Sequence, residues 1–461
     1  MSARTSGSEP DPDTTELAVI LAAGQGTRLS PRENGAAKPT VRLLGLSLVE
    51  RTMVACLAAG IRRFLVVVGH RAEAVQAHVE RVASRRGCEA VFVTAPDWEL
   101  GNGASALAVS GRVGDAPFLL IMADHLVESP LIEAVLRTPL AEGEVCLGVD
   151  RDKATVFDLE DVTRVTLSNG RVGRLGKSFE PWDAADTGVF RCTAGLFDGL
   201  RRAAAGNRHT LTDGMNELAA DGRVAAVDVT GAGWLDVDTP EAYREARRRL
   251  VQSLRRGKGG EDGYVSIYLN RPVSTRLSAV LASTPVTPNQ ISVACFVVCL
   301  AGALLLGMQS YAAWVAGALL VQLSSVADGC DGEIARLKHL ASPRGAWLDT
   351  LLDRYSDMAL ALAITFSYAT SHPGPLPWIG GFLSVAGFLL ASYVTKEFAL
   401  RHGRPYPSDV LNRLKRRDVR LLVISCGALV GYPFAALLVA GALSHACVAG
   451  ILVKGWTASE R

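Results

Sequence analysis

Aromatic residues make up only 6% of this 461-residue chain, and the net charge is only +2. No stretch alternates basic with aromatic side chains. The charge and stacking surface that nucleic-acid binding needs is therefore missing. The nine cysteines are dispersed, with no C-x-x-C pair. That argues against a disulfide framework and fits a reducing compartment. Residues 1–15 are polar and acidic and lack a basic start followed by an apolar run. They read as a disordered lead-in without a secretion signal.

What is present is a division of character. In residues 16–250, apolar strand-like runs (Leu17–Ala22, 64–68) alternate with helical patterns (48–59, 72–83). Such alternation predicts an α/β fold on a mostly parallel, Rossmann-like sheet. From about Ile291 the chain turns to Ala, Leu, Val and Gly, in runs of about 20 residues, the length that crosses a bilayer. Residues 251–263, rich in Gly and charge, read as a linker. The remainder, 264–461, reads as an all-α membrane domain.

Leu17–Ala22 breaks at once into Ala23-Gly24-Gln25-Gly26-Thr27-Arg28-Leu29. A strand running into glycines lets backbone N–H groups approach a phosphate. The same turn also serves as an ordinary strand–helix connection. Lys38-Pro39 adds a mobile cation. Asp124 follows the strand-like run Phe118–Met122, at the sheet edge where α/β proteins bind ligands. Taken singly, Asp124 also suits a helix N-cap and Lys177 a solvated loop.

Together these pieces carry a resemblance. Leu21 to Leu29 with Lys38-Pro39 resembles the signature of the sugar-nucleotide-type nucleotidyltransferases. Glu99-Leu-Gly101-Asn102-Gly103-Ala-Ser105, Met122-Ala-Asp124-His125, Gly176-Lys177, Asp186-Thr187-Gly188 and Trp234-Leu-Asp236-Val-Asp238-Thr-Pro240 resemble the inositol-1-phosphate cytidylyltransferases, over roughly residues 16–250. The resemblance implies a role for each. Ala22, Ala23, Gly24 and Gly26 would cradle the CTP phosphates, and Arg28 and Lys38 would neutralise the departing pyrophosphate. Gly101, Asn102, Gly103 and Ser105 would meet the nucleoside. Asp124 and Asp236 would hold Mg²⁺ or Mn²⁺, with Asp238 the second choice to Asp236. Lys177 would hold the phosphate of an incoming alcohol phosphate.

In the second half, residues 265–281 have apolar positions at helical spacing with basic partners, and could lie along a membrane surface. Thr287-Pro288-Asn289 caps the first of six apolar segments, at about 290–308, 312–332, 346–369, 376–397, 419–431 and 433–453. Lysines and arginines fall before the first segment, between the second and third, between the fourth and fifth, and after the sixth. The positive-inside rule then predicts six spans with both termini cytoplasmic.

Four aspartates interrupt this apolar half. Asp328 and Asp331 are three apart and Asp349 and Asp353 four apart, so on helices each pair shares a face. A charge at membrane depth costs roughly 2.5–3.5 kcal/mol, and four unpaired carboxylates about 10 kcal/mol. A divalent cation is the natural remedy, and clustered carboxylates suit Mg²⁺. Asp328, Asp331, Gly332, Ala335, Arg336, Gly345, Asp349 and Asp353 fill every fixed position of what resembles the CDP-alcohol phosphatidyltransferase signature. That resemblance implies metal binding by the four aspartates and proton abstraction by Asp353. It also implies close packing of a CDP-alcohol on Gly332 and Gly345, with a phosphate or carboxylate contact from Arg336. The basic run 412–420 reads as a lipid-headgroup anchor or as a pocket for an acceptor bearing its own phosphate.

The whole chain resembles bifunctional enzymes that join the two families. The expectation is a cytidylyltransferase making CDP-inositol from CTP and inositol 1-phosphate. A transferase would then pass the phospho-inositol unit to an inositol phosphate and release CMP; the resemblance also implies a homodimer joined through the membrane domain. One alternative keeps both reactions on another alcohol phosphate or a lipid acceptor. A rival of another class is a six-span transporter with a regulatory nucleotide domain, and a third has a first half that only binds.

Overall fold

The structure, a computed structural model, describes residues 15–29, 36–255 and 263–459. The expected lead-in, apart from Thr15, and most of the expected linker lie outside the described residues. By internal contacts the chain divides into two units, Met1–Arg247 and Arg248–Arg461. The helix Pro240–Arg255 covers residues 251–255 of the segment expected as linker.

The first unit is built on a nine-stranded sheet. Its strands run in the order Glu89–Thr94, Arg63–Val68, Leu17–Ala22, Phe118–Met122, Ala184–Cys192, Val145–Asp150, Val224–Asp228, Arg171–Gly176 and Arg164–Ser168. Period-two alternation sends Leu17–Ala22 into two cores. Val19 and Leu21 pack on one face with Leu65, Leu120 and Phe190. Ala18, Ile20 and Ala22 pack on the other with Val49, Met53 and Val66. Both faces are covered, as a central parallel strand requires.

The first four strands are parallel, as the strand–helix alternation predicts. Beyond them the sheet is mixed. Arg164–Ser168 and Arg171–Gly176 form a hairpin whose turn, Asn169-Gly170, has φ of 51° and 76°. Two consecutive positive φ values are what a tight two-residue hairpin needs, and Asn-Gly supplies them at low cost. The chain then returns as Ala184–Cys192, antiparallel between Phe118–Met122 and Val145–Asp150.

In the second unit, all six expected apolar segments are helical: Pro288–Leu306, Tyr311–Leu337, Pro343–Ser371, Pro375–His402, Arg417–Leu429 and Pro433–Ser459. Among the described residues, four helices are long and apolar enough to cross a membrane: Pro288–Leu306, Tyr311–Leu337, Pro375–His402 and Pro433–Trp456. Of the other two, Pro343–Ser371 carries three aspartates and two arginines, and Arg417–Leu429 has only 13 residues. Thr287 caps the first helix through a reciprocal pair with Gln290, as expected. Gly302 and Gly317 let the first two helices close on each other. A Cβ on Gly317 would stand 2.8 Å from the Gly302 carbonyl oxygen, the small-residue contact common between membrane helices.

The segment expected along a membrane surface forms a π-turn, Ser266–Asn270, and a helix, Arg271–Leu281. Its polar residues turn inward: Ser274, Thr275 and Ser278 are buried, while Tyr268, Val273 and Val280 are exposed. Arg271 and Ser274 both donate to Glu333, a fully buried carboxylate on Tyr311–Leu337. Sequence reading did not single out Glu333; its position two residues after Asp331 hid it inside a known motif.

Candidate active sites

The first site is assembled by a very short ladder. Asp124 follows Phe118–Met122, and His125 opens the strand His125–Val127. That strand pairs antiparallel with Trp234–Asp236, setting Asp236 opposite His125. Two aspartates more than a hundred positions apart thus become neighbours. Lys38 Nζ lies 2.5 Å from Asp124 Oδ2 and 4.0 Å from Asp236 Oδ1. His125 Nδ1 lies 3.1 Å from Asp124 Oδ1 and 3.9 Å from Asp236 Oδ1.

The electrostatics follow from this packing. Burial alone would raise the Asp124 pKa, but the Lys38 and His125 charges hold it well below the usual carboxylate range. Burial opposes charge on Lys38, and Asp124 and Asp236 raise its pKa nonetheless. For His125 burial is likewise outweighed, by Asp236 and Asp124, and its pKa rises to about 9. The Asp236 side chain is 44% exposed, yet its Oδ1 is buried without a hydrogen-bond partner. Desolvation there, against the pull of His125, raises Asp236 to about 6. Ligand atoms of Asp124, His125 and Asp236 all lie within 4.8 Å of one another. An orphaned carboxylate oxygen beside a second carboxylate, that of Asp124, fits a divalent cation. Asp238 stands outside this group and pairs with Arg28.

Two cavities meet at Asp124. One, of 820 Å³, is lined by the turn from Ala22 to Arg28, with Lys38, Gly101 and Ser105. Gly26 has φ of +62°, and a Cβ there would lie 2.5 Å from the Lys38 Cβ. Glycine is what lets Lys38 cross the turn and reach Asp124. Ala22 and Ala23 are buried at the strand end. Asn102 Oδ1 accepts from the Leu211 N–H at 2.8 Å. Ser105 is buried and donates to the Gly101 carbonyl. A Cβ on Gly103 would stand 2.6 Å from the His209 carbonyl oxygen, so the helix it opens packs too closely for any side chain. The other cavity, of 460 Å³, is lined by Lys177, Asp158, Asp161, Asp186 and Trp234 among others. Lys177 and Arg28 both pair with Asp161. Burial raises the Asp186 pKa to about 6. Sequence reading quoted His125 within a motif but gave it no role, and it passed over Asp161, which lies in a loop without pattern.

The second site lies in the helical unit. Asp328 projects from Tyr311–Leu337, and Asp349 and Asp353 from Pro343–Ser371. Their oxygens lie within 4.8 Å of one another, and this hard-donor set also fits a divalent cation. Asp331 stands just outside the group: its Oδ2 accepts from Ser292 at 2.6 Å and its Oδ1 from the Gly332 N–H. Arg336 Nη1 is 3.5 Å from where a Cβ on Gly332 would be. Gly345 lies in the first turn of its helix, where its N–H caps onto Ser342.

An arginine closes the cluster. Arg417 Nη1 is 2.6 Å from Asp353 Oδ1 and 3.5 Å from Asp328 Oδ2, and its Nε is 3.3 Å from Asp357 Oδ1. Its side chain is 12% exposed, so it is neither a headgroup anchor nor a solvated charge. Asp357, buried, also receives Arg354 and Arg420. The sequence signal for Asp357 was its place one turn beyond Asp353 in the same row.

Family models match two stretches: nucleotidyl transferase over residues 17–253 and CDP-alcohol phosphatidyltransferase over residues 285–450. The bifunctional IPC transferase and DIPP synthase of Rubrobacter xylanophilus is 38% identical over 443 residues, covering 95% of this chain and 97% of that protein. Its counterpart in Aquifex aeolicus is 32% identical over 424 residues, covering 90% and 92%. Among solved structures, the inositol-1-phosphate CTP transferase from T. maritima aligns with a TM-score of 0.46 and 25% identity, covering 50% of this chain and 91% of that one.

Proposed function

The chain belongs to the bifunctional IPC transferase and DIPP synthase family, a nucleotidyltransferase joined to a CDP-alcohol phosphotransferase, and from that premise we propose its substrates and residue roles. The first unit takes CTP and inositol 1-phosphate to CDP-inositol and pyrophosphate. The second transfers the phospho-inositol unit to an inositol phosphate and releases CMP. The observation that carries this reading is the convergence of Lys38, Asp124 and Asp236 at the junction of two cavities.

CTP occupies the larger cavity, its phosphates against the backbone from Ala22 to Gly26. Gly101, Asn102, Gly103 and Ser105 shape the nucleoside end. The alcohol phosphate occupies the smaller cavity, held by Lys177, and one of its phosphate oxygens attacks the α-phosphorus. Arg28 and Lys38 neutralise charge on the leaving pyrophosphate. Asp124 and Asp236 hold Mg²⁺ or Mn²⁺, which when bound screens the phosphates and polarises the reacting one.

In the second unit Asp328, Asp349 and Asp353, joined by Asp331 from just outside their cluster, would hold the same kind of cation, which would screen the CDP diphosphate. Asp353 takes the proton of the acceptor hydroxyl as that oxygen attacks the β-phosphorus. Gly332 and Gly345 leave room for the nucleotide, and Arg336 contacts a phosphate. The acceptor's own phosphate lies against the basic run 412–420. The distribution of lysine and arginine supports a multi-pass protein of the cell membrane with both termini cytoplasmic.

Incubation with CTP, Mg²⁺ and inositol 1-phosphate, followed by phosphorus NMR, tests the sequence of products. Pyrophosphate and CDP-inositol should appear first, then CMP and a phosphodiester. No CDP-alcohol from inositol 1-phosphate, with turnover of another alcohol phosphate, would overturn the substrate assignment.

A further inference from the structure

Among the described residues, the smaller cavity is lined by six aspartates, Asp124, Asp158, Asp161, Asp186, Asp236 and Asp238, with His125, one lysine, Lys177, and no arginine. A phosphate monoester carries close to two negative charges near neutrality and is repelled by most of that wall. The cations within reach are Lys177 and His125 in this cavity and Arg28 and Lys38 bordering the adjoining one. His125 and Lys38 are bound to Asp124, and Lys177 and Arg28 are taken as well. Asp161 Oδ2 accepts from Arg28 Nη1 at 2.7 Å, and Asp161 Oδ1 pairs with Lys177.

One carboxylate thus spans the two cations as two oxygens of a phosphate would. The position is built rather than incidental. Asp161 sits in a turn where its N–H and that of Val162 both bond to the Asp158 carbonyl. Val162 anchors the turn in a buried cluster with Trp182 and Ala185. The Asp161 side chain itself remains 33% exposed, so rotation alone frees it while the turn stays in place.

We propose that Asp161 is an internal stand-in for the substrate phosphate, holding Arg28 and Lys177 together in the empty site and yielding them when a phosphate monoester enters. The proposal rests on the reading of this cavity as the alcohol-phosphate site. It extends that reading to selectivity. A dianionic phosphate outcompetes a single carboxylate for two cations, whereas an unphosphorylated alcohol has nothing with which to displace it. The aspartate-lined wall then suits the hydroxyls of a polyol, for which carboxylates are natural acceptors.

The test is calorimetric titration of the full-length protein in detergent, without CTP, using inositol 1-phosphate, free inositol and inorganic phosphate. Asp161→Asn and Asp161→Ser remove the competing charge and should lower the Kd for inositol 1-phosphate and for phosphate roughly three- to tenfold, the scale of two part-exposed ion pairs. Asp161→Glu keeps the charge and should stay within about twofold of the parent. Binding in Asn and Ser variants that is unchanged or weaker, with circular dichroism like the parent's, would overturn the proposal. Failure of the parent to bind inositol 1-phosphate or to form CDP-inositol would instead count against the substrate reading. The inorganic phosphate series judges Asp161 in either case.

Discussion

Arg417 supplies the compensating positive charge nearest to Asp328 and Asp353, and it shares Asp357 with Arg354 and Arg420. Replacing it with Met keeps much of the side-chain volume and removes the charge. Deleting one partner of a buried ion pair costs about 3–5 kcal/mol, because the other charge stays buried. For a unit of this size, 1 kcal/mol moves the melting temperature by about 2–4 °C, so the loss in a chelator should be roughly 6–20 °C. A divalent cation on Asp328, Asp349 and Asp353 would replace the missing charge. Excess Mg²⁺ should therefore recover much of the loss in Arg417→Met and shift the parent far less. Thermal unfolding of detergent-solubilised protein in EDTA and in Mg²⁺ measures both shifts. An equal loss in the two conditions would refute the reasoning, since it would mean that arginine and metal do not share the same carboxylates. Arg417→Lys should fall between, keeping the charge without the fork that reaches three acceptors.

Asp353→Asn should lower CMP release by about 10²–10⁴-fold while CDP-inositol accumulates, which phosphorus NMR would show directly. Lys38→Met should cut pyrophosphate release on the order of 10²–10³-fold, read by a coupled phosphate assay, and leave CMP release from added CDP-inositol intact. Gly26→Ala places a methyl group against Lys38 in a left-handed conformation that costs about 1–2 kcal/mol. CTP binding should weaken while the far-ultraviolet spectrum stays constant.

The parts of the sites legible in the sequence were those carried by spacing. Four aspartates at three- and four-residue intervals in apolar surroundings fixed which helix faces mattered, and a strand running into Gly24 and Gly26 fixed where phosphate could approach. The less legible parts depend on tertiary contact. His125 owes much of its raised pKa to Asp236, which pairs across from it through strands too short to show a period. Asp161 matters because two long side chains reach it from elsewhere. The hairpin of Arg164–Ser168 and Arg171–Gly176 was signalled by Asn169-Gly170 alone, a two-residue cue between strands of mixed polarity, and the antiparallel return of Ala184–Cys192 carried no local cue. The amphipathic stretch before the first span showed its apolar spacing, but which face turned inward was set by Glu333, 62 positions beyond Arg271.

The short ladder between His125–Val127 and Trp234–Asp236 also sets a timetable. Lys38 and Asp124 are translated early, and Asp236 comes almost at the end of the first unit. At about 5–20 residues per second, roughly 5–20 s separate the two aspartates during synthesis. Throughout that interval the nascent chain carries Lys38 and Asp124 but lacks Asp236, the second carboxylate proposed for the cation. On that assignment, competence for nucleotidyl transfer is one of the last properties the first unit acquires.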